Sequence, residues 1–278
     1  MLTAILASVG YAGGVVVDKI ALSVYRAPVR RFIPLLFLFL ALITALFVPL
    51  FPGFKLAEFT LPYIFAFFLM IVVAISWNVY YYQGIQKENL HEFELIMLLS
   101  PLATIIFAGI FLPEERNFSV FVAGLIASIA FAMTRLRQHH LRLSVTAKHT
   151  VLAMILMSFE SILIKYLLDI FSPFTLYLVR TAVIAAVFIY LYKPRIFDFP
   201  SKIVWLTLFS SAFGVLQMVL KFYGFQDLGV METTIILLLG PFFVYLFSYF
   251  YFREKVNAKR DLVCAAVVVA CIIYSIFE

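Results

Sequence analysis

The stretch from Gly84 to Asn117, GIQKENLHEFELIMLLSPLATIIFAGIFLPEERN, returns at Gly224 to Asn257 as GFQDLGVMETTIILLLGPFFVYLFSYFYFREKVN. The register is ungapped: Glu92 and Glu232, Pro101 and Pro241, and Glu114 and Glu254 are each 140 positions apart. Gly84/Gly224, Gln86/Gln226, Leu98/Leu238, Phe107/Phe247 and Asn117/Asn257 fall in that same register. Two unrelated apolar helices could share leucines, but not Gly, Gln, Glu, Pro, Glu and Asn together. Each copy is a membrane-length apolar helix between a glycine turn and an acidic turn. The chain therefore reads as a duplicated membrane unit, and such a repeat governs the fold wherever it occurs.

Composition agrees. Of 278 residues, 65% are hydrophobic and 13% charged, with a mean hydropathy of +1.07. A soluble domain of this length could not bury that much apolar surface. Roughly 20 apolar residues span a bilayer core as helix, lipid admits only helices or closed barrels, and apolar runs without alternation select helices. The expected fold is all-α, with ten spans at 2–23, 32–51, 61–83, 90–112, 118–134, 150–170, 174–192, 203–222, 231–252 and 261–277. Breaks fall at Pro28, Pro52-Gly53, Gly84, Pro113, Ser172-Pro173, Pro194, Gly224 and the REKVNAKR turn. The domains are then 1–134 (five spans), a basic linker at 135–149, and 150–278 (five spans). An odd number of spans per unit turns the two units upside down relative to one another, as in many secondary transporters. The first segment lacks a basic start and a small-residue cleavage site, so it reads as a retained span.

The net charge of +6 would suggest nucleic acid in a soluble protein, but here the basic residues have a topological meaning. Arg30, Arg31, Arg135, Arg142, Lys193, Arg195, Arg253 and Lys259 fall in turns on one side of the membrane, and only Lys55 and Arg116 on the other. The positive-inside rule makes the first side cytoplasmic. Both termini are then outside and the 135–149 linker is cytoplasmic. Cys264 and Cys271, seven apart in the last span, read as packed thiols with no metal or disulfide pattern.

The duplicated five-span unit, with Ser-Pro or Gly-Pro in its fourth span and a glutamate-bearing turn before its fifth, resembles the EamA-type transporters of the drug/metabolite transporter superfamily. The resemblance covers nearly the whole chain. It implies ten helices in two inverted repeats, the first four helices of each unit surrounding a central cavity and the fifth supporting the packing. Several relatives carry their basic loops on the opposite side, which would place the termini inside; the charge count of this chain places them outside. The expected setting is a prokaryotic plasma (inner) membrane.

Ionisable residues inside spans cost roughly 2.5 to 3.5 kcal/mol at a helix centre and mark functional candidates. Asp18, Lys19, Asn78, Glu92 and Glu94 fall in the cytoplasmic third of the first unit, and Lys165, Arg180, Gln217, Lys221 and Glu232 in the outer third of the second. The charges of mixed sign predict ion-paired gates: Lys19 with Glu92 or Glu94 inside, and Lys165 or Lys221 with Glu232 outside. The alternative is static pairs and side chains snorkelling near helix ends. Glu160 stands at mid-span with no opposite charge within a helical turn. It reads either as a coupling or substrate-binding group facing the cavity, or as a protonated carboxyl bonded to a neighbouring helix. Aligning Lys165 with Lys19 puts Gly14 opposite it, so only the second unit has such a residue. Small multidrug resistance transporters, which belong to the same superfamily, also place a glutamate in their first helix and exchange protons there.

Arg180 must be paired or hydrated; pairing with Glu232 or Asp169 is favoured over holding an anionic substrate group. Trp77 and Asn78 lie deep enough to face a cavity, whereas Tyr80, Tyr81 and Tyr82 read as an interfacial belt. Pro101 and Pro241 each remove one helical hydrogen bond and free the carbonyls of Met97 and Leu237, giving kinks. HEFE at 91–94 lacks the second histidine of a zinc-protease helix, and no phosphate loop, catalytic spacing or metal cluster occurs, so neither an enzyme nor a cofactor is expected.

The function these features suggest is a secondary active, proton-coupled or exchange-type exporter of a small metabolite or amphiphile, working by alternating access. Glu160, Trp77, Asn78, Arg180 and Gln217 are its candidate substrate-binding or coupling residues. The alternatives are a lipid or lipid-linked sugar flippase and a non-transporting membrane scaffold subunit. The expected partners are a small-molecule substrate and the bilayer, and ten spans enclose a path in one chain, so a monomer is expected.

Overall fold

A computed structural model describes residues 1–50, 60–87, 93, 96–97, 99–136, 145–194, 200–241, 243–244 and 258–277, and most of these residues are helical. Among these residues the helices are α1 (Leu2–Lys19), α2 (Val29–Phe47), α3 (Leu61–Lys87), α4 (Ser100–Phe111) and α5 (Phe118–Leu136) in the first half. The second half holds α6 (Val145–Leu167), α7 (Pro173–Tyr192), α8 (Ser201–Asp227), α9 (Val230–Leu237) and α10 (Ala258–Phe277). Among the described residues six helices are long and apolar enough to cross a membrane, namely α1 with the turn after it, α2, α3, α6, α7 and α8; 100–111, 118–130 and 230–241 are shorter apolar helices. Large apolar side chains such as Phe65 (67% exposed) and Trp205 (59%) point outward. An outward coat of this kind is what insertion as a multi-pass membrane protein requires.

Local chemistry sets the ends. At the α6/α7 turn, Ser172 Oγ accepts from the Thr175 amide at 3.3 Å and Pro173 opens the helix, the positions where a capping hydroxyl and a proline are favoured. After Lys19 the first helix continues as a π-turn over Ile20–Val24. At the kinks expected in the fourth and ninth spans the helix is interrupted by a turn: α4 begins at Ser100 after a turn at Leu99, and α9 ends at Leu237 with a turn at Leu238 before helix resumes at Leu239. Next to the breaks the amides of Leu99 and Leu238 bond three residues back, to Ile96 and Ile235, at 3.0 and 3.2 Å. A proline ring both lacks a donor and crowds the preceding turn, so the tighter turn relieves it.

The halves interleave instead of standing side by side. α1 packs on α8, α3 on α6, α2 on α7, and α5 on α10. Each partnership joins opposite halves. Phe37 meets Phe188 and Phe47 meets Phe174, at 5.7 and 6.1 Å between ring centroids, so α2 and α7 run antiparallel. Along α3 and α6, Tyr63 stacks on Tyr166 while Trp77 reaches Glu160, again antiparallel. Gly10 lets α1 lie on the α8 backbone: a Cβ there would come within 2.9 Å of the Gln217 nitrogen. The duplication also survives in detail. Lys19 Nζ donates to the Ile85 carbonyl at 2.8 Å and Lys165 Nζ to the Phe225 carbonyl at 2.7 Å, and Ile85 and Phe225 are 140 positions apart.

Candidate functional site

Helices from both halves enclose a cavity of about 170 Å³, room for on the order of ten waters at about 10–15 Å³ each. Its wall takes residues from α1, α2, α3, α4, α6, α7, α8 and α9. Both helix breaks face it: Met97, Ser100 and Pro101 on one side, Thr234, Leu237 and Pro241 on the other. Met97 and Leu237 are the residues whose carbonyls lose their normal amide partner to the prolines. Discontinuous helices lining a cavity are a common transporter device for presenting backbone polar groups to cargo.

On the cavity wall sits a buried ion pair. Arg180 on α7 grips Glu160 on α6 with two nitrogens, Nε to Oε1 at 2.7 Å and Nη2 to Oε2 at 3.1 Å. Trp77 Nε1–H on α3 donates to Oε2 at 2.6 Å. Glu160 and Arg180 are 1% and 2% exposed. Such a two-point, charge-assisted grip is the strong geometry for a guanidinium on a carboxylate, and the third donor closes the carboxylate's remaining space.

This corrects one expectation: Arg180 pairs with Glu160 instead of Glu232 or Asp169. Glu160, read from sequence either as a cavity-facing group or as a carboxyl bonded to a neighbouring helix, lines the cavity and holds that guanidinium. The spacing carried a signal for it. Glu160 lies seven residues before the end of α6 at Leu167, and Arg180 seven after the start of α7 at Pro173. At 1.5 Å per residue the hairpin brings both to one depth.

Around the pair, Trp77, Asn78, Gln217, Asp18 and Lys221 all line the cavity. Asn78 is buried and donates to the Ala74 carbonyl of its own helix at 2.7 Å. Asp18 on α1 accepts a short hydrogen bond from Ser210 Oγ on α8. Lys221 donates to Ser161 Oγ at 3.2 Å and lies 5.0 Å from the centre of the Phe225 ring. Tyr81 and Tyr82, expected in an interfacial belt, are instead buried on the cavity wall; Tyr80 packs half-buried against His149. The apolar environment that two phenol rings need is supplied by Phe93 and Phe32, at 5.0 and 5.6 Å.

Of the expected gate pairs, only the outer one falls within the described residues. Glu92 and Glu94 lie outside the described residues, and Lys19 reaches the Ile85 carbonyl. Neither Lys165 nor Lys221 pairs with Glu232. Lys165 stands 3.9 Å from Glu115 and bonds the Phe225 carbonyl. A long ammonium side chain settles on the nearest open carbonyl, which here lies at the end of a neighbouring helix.

Glu115 was not singled out by sequence, where it reads only as part of an acidic turn. Its carboxylate accepts the Val230 amide at 2.7 Å and the Met231 amide at 2.9 Å, capping α9 from the opposite half of the chain. Gly229 makes the seat: its φ is +86°, and a Cβ there would lie 3.1 Å from that carboxyl. A carboxylate at a helix N-terminus is favoured by the unpaired amides and the helix dipole together.

No curated protein matches the chain. Among solved structures, one described only as "Crystal structure of protein" superposes with a TM-score of 0.71 at 14% identity, covering 97% of this chain and 96% of its own, a likeness of fold. The family described as "EamA-like transporter family" matches residues 1–136 and 148–276. The chain therefore belongs to the EamA-like transporter family, within the drug/metabolite transporter superfamily.

Proposed function

We propose that this membrane transporter is a secondary carrier that works by alternating access, its substrate path running through the cavity around Glu160 and Arg180. The observation that carries the reading is a cavity of about 170 Å³ around a paired ionic centre, walled by helices of both halves and by the segments at Pro101 and Pro241. Antiparallel pairing of α2 with α7 supports the inverted arrangement of the two halves and, with it, ten spans. Trp77, Asn78, Arg180 and Gln217 shape the path, and Glu160 holds Arg180 in it. A small metabolite or amphiphile is the cargo and export the direction, as the family resemblance implies. The excess of basic residues in turns on one side supports a cytoplasmic 135–149 linker, and the membrane of this reading is a prokaryotic inner membrane.

The test is side-specific thiol labelling in lipid vesicles. Thr234→Cys is placed on the cavity wall in a chain whose Cys264 and Cys271 are serines, and a membrane-impermeant methanethiosulfonate reagent is added to one face at a time. A carrier exposes that thiol to each face in turn; a thiol reached from neither face would refute the reading and favour a scaffold.

A further inference from the structure

The cavity holds two carboxylates, Asp18 and Glu160, and their surroundings differ in kind. Glu160 is met by three N–H donors, two of them from a guanidinium that keeps its charge at any accessible pH. A proton placed there would displace the grip of Arg180. Asp18 is 5% exposed, and among the described residues its one hydrogen-bond partner is the Ser210 hydroxyl. A hydroxyl both donates and accepts. Ser210 can donate to an ionised Asp18 and, after rotating its O–H, accept from a protonated one, so this pair is satisfied in either state.

Position separates them too. Glu160 and Arg180 sit on α6 and α7 of one half and would travel together. Asp18 belongs to the first half and Ser210 to the second, so their hydrogen bond crosses the α1/α8 seam where the halves meet.

The other groups facing Asp18 leave it without a fixed cation. From α3 come Tyr81 and Tyr82, from α8 Lys221, and from α7 Tyr177 and Arg180, all in the same cavity, with Arg180 held by Glu160. On its own helix Lys19 turns away to Ile85. The described part of α9 offers only Glu232, which lies toward Glu115. The π-turn after Lys19 and the cavity-facing part of α2 bring no ionisable group.

We infer that Asp18, with Ser210 as its reversible partner, is the proton-binding site of this transporter, and that the part of Glu160 is to hold Arg180. The proton enters from water in the cavity and binds one Asp18 carboxylate oxygen, and Ser210 changes from donor to acceptor. With Asp18 ionised the cavity's two carboxylates balance Arg180 and Lys221; with the proton on, one positive charge is in excess. A unit change of charge on the seam between the halves gives protonation a differential hold on two conformations, which is what coupling requires. This inference rests on the carrier reading above.

The experiment uses the full chain reconstituted in lipid and reads the protonated-carboxyl C=O stretch by infrared difference spectroscopy over a pH titration. A band present in wild type is expected to be lost in Asp18→Asn and kept in Glu160→Gln. Ser210→Ala, which leaves the carboxyl in place, is expected to keep the band and shift its frequency. A band unchanged in Asp18→Asn, or one lost only in Glu160→Gln, overturns the assignment, as does an unshifted band in Ser210→Ala. The Thr234→Cys labelling is then repeated across the same pH range. Labelling from both faces whose side preference moves with pH, and stops moving in Asp18→Asn, supports coupling at Asp18. Alternating labelling indifferent to pH removes the coupling and leaves the carrier standing, and a thiol never reached removes the carrier itself.

Discussion

Glu160→Gln is the sharpest perturbation this structure offers. The amide is nearly the size of the carboxyl and can still accept from Trp77, so packing is kept while the charge is removed. What remains is a guanidinium, 2% exposed, that cannot shed its proton. Breaking a buried pair by removing one partner costs roughly 3 to 5 kcal/mol. At roughly 2–4 °C per kcal/mol, the expected fall in Tm is on the order of 10 °C, measured by heating the detergent-solubilised protein and following the folded fraction by size exclusion. Arg180→Gln should cost less, because a carboxyl left alone can take up a proton whereas a guanidinium cannot give one away. The double variant should lose far less than the sum of the two single losses, because it leaves neither member of the pair buried without its partner. Equal losses in the two single variants, or additivity in the double one, would refute an ion pair whose worth lies in mutual neutralisation.

Two further outcomes follow from the contacts between halves. Glu115→Ala removes the acceptor of the Val230 and Met231 amides, a loss of about 0.5–2 kcal/mol for a helix cap; hydrogen exchange at those two amides should quicken, and unchanged protection there would show that the cap does not matter. Gly10→Val forces a branched side chain into the 2.9 Å approach to the α8 backbone, and overpacking of about 1–3 kcal/mol should lower Tm by several degrees, with an unaffected Tm indicating that the helices part freely.

Much of this architecture was legible in one chain. The 140-residue register of Gly84/Gly224 and Pro101/Pro241 announced the duplication, because glycine and proline act through the backbone and need no partner to be read. Hydropathy located the helices for the same reason: insertion in lipid is decided by each segment's own composition. It was also enough to pick Glu160, Arg180, Trp77 and Gln217 as misplaced polar groups, since a polar atom in an apolar run is costly whatever its neighbours are.

Which of these groups meet was decided by tertiary structure. Glu160 found Arg180 across a hairpin and Trp77 across the interleaved halves, and Lys165 passed over Glu232 for the Phe225 carbonyl and Glu115. Long side chains choose partners by helix rotation and depth after packing, and sequence spacing encodes only neighbours on the same helix. Asp18 and Ser210, 192 residues apart, became a pair because Gly10 allows α1 to lie against α8. The chain alone thus determined what had to be buried, and the packing of its two halves determined what each buried charge would face.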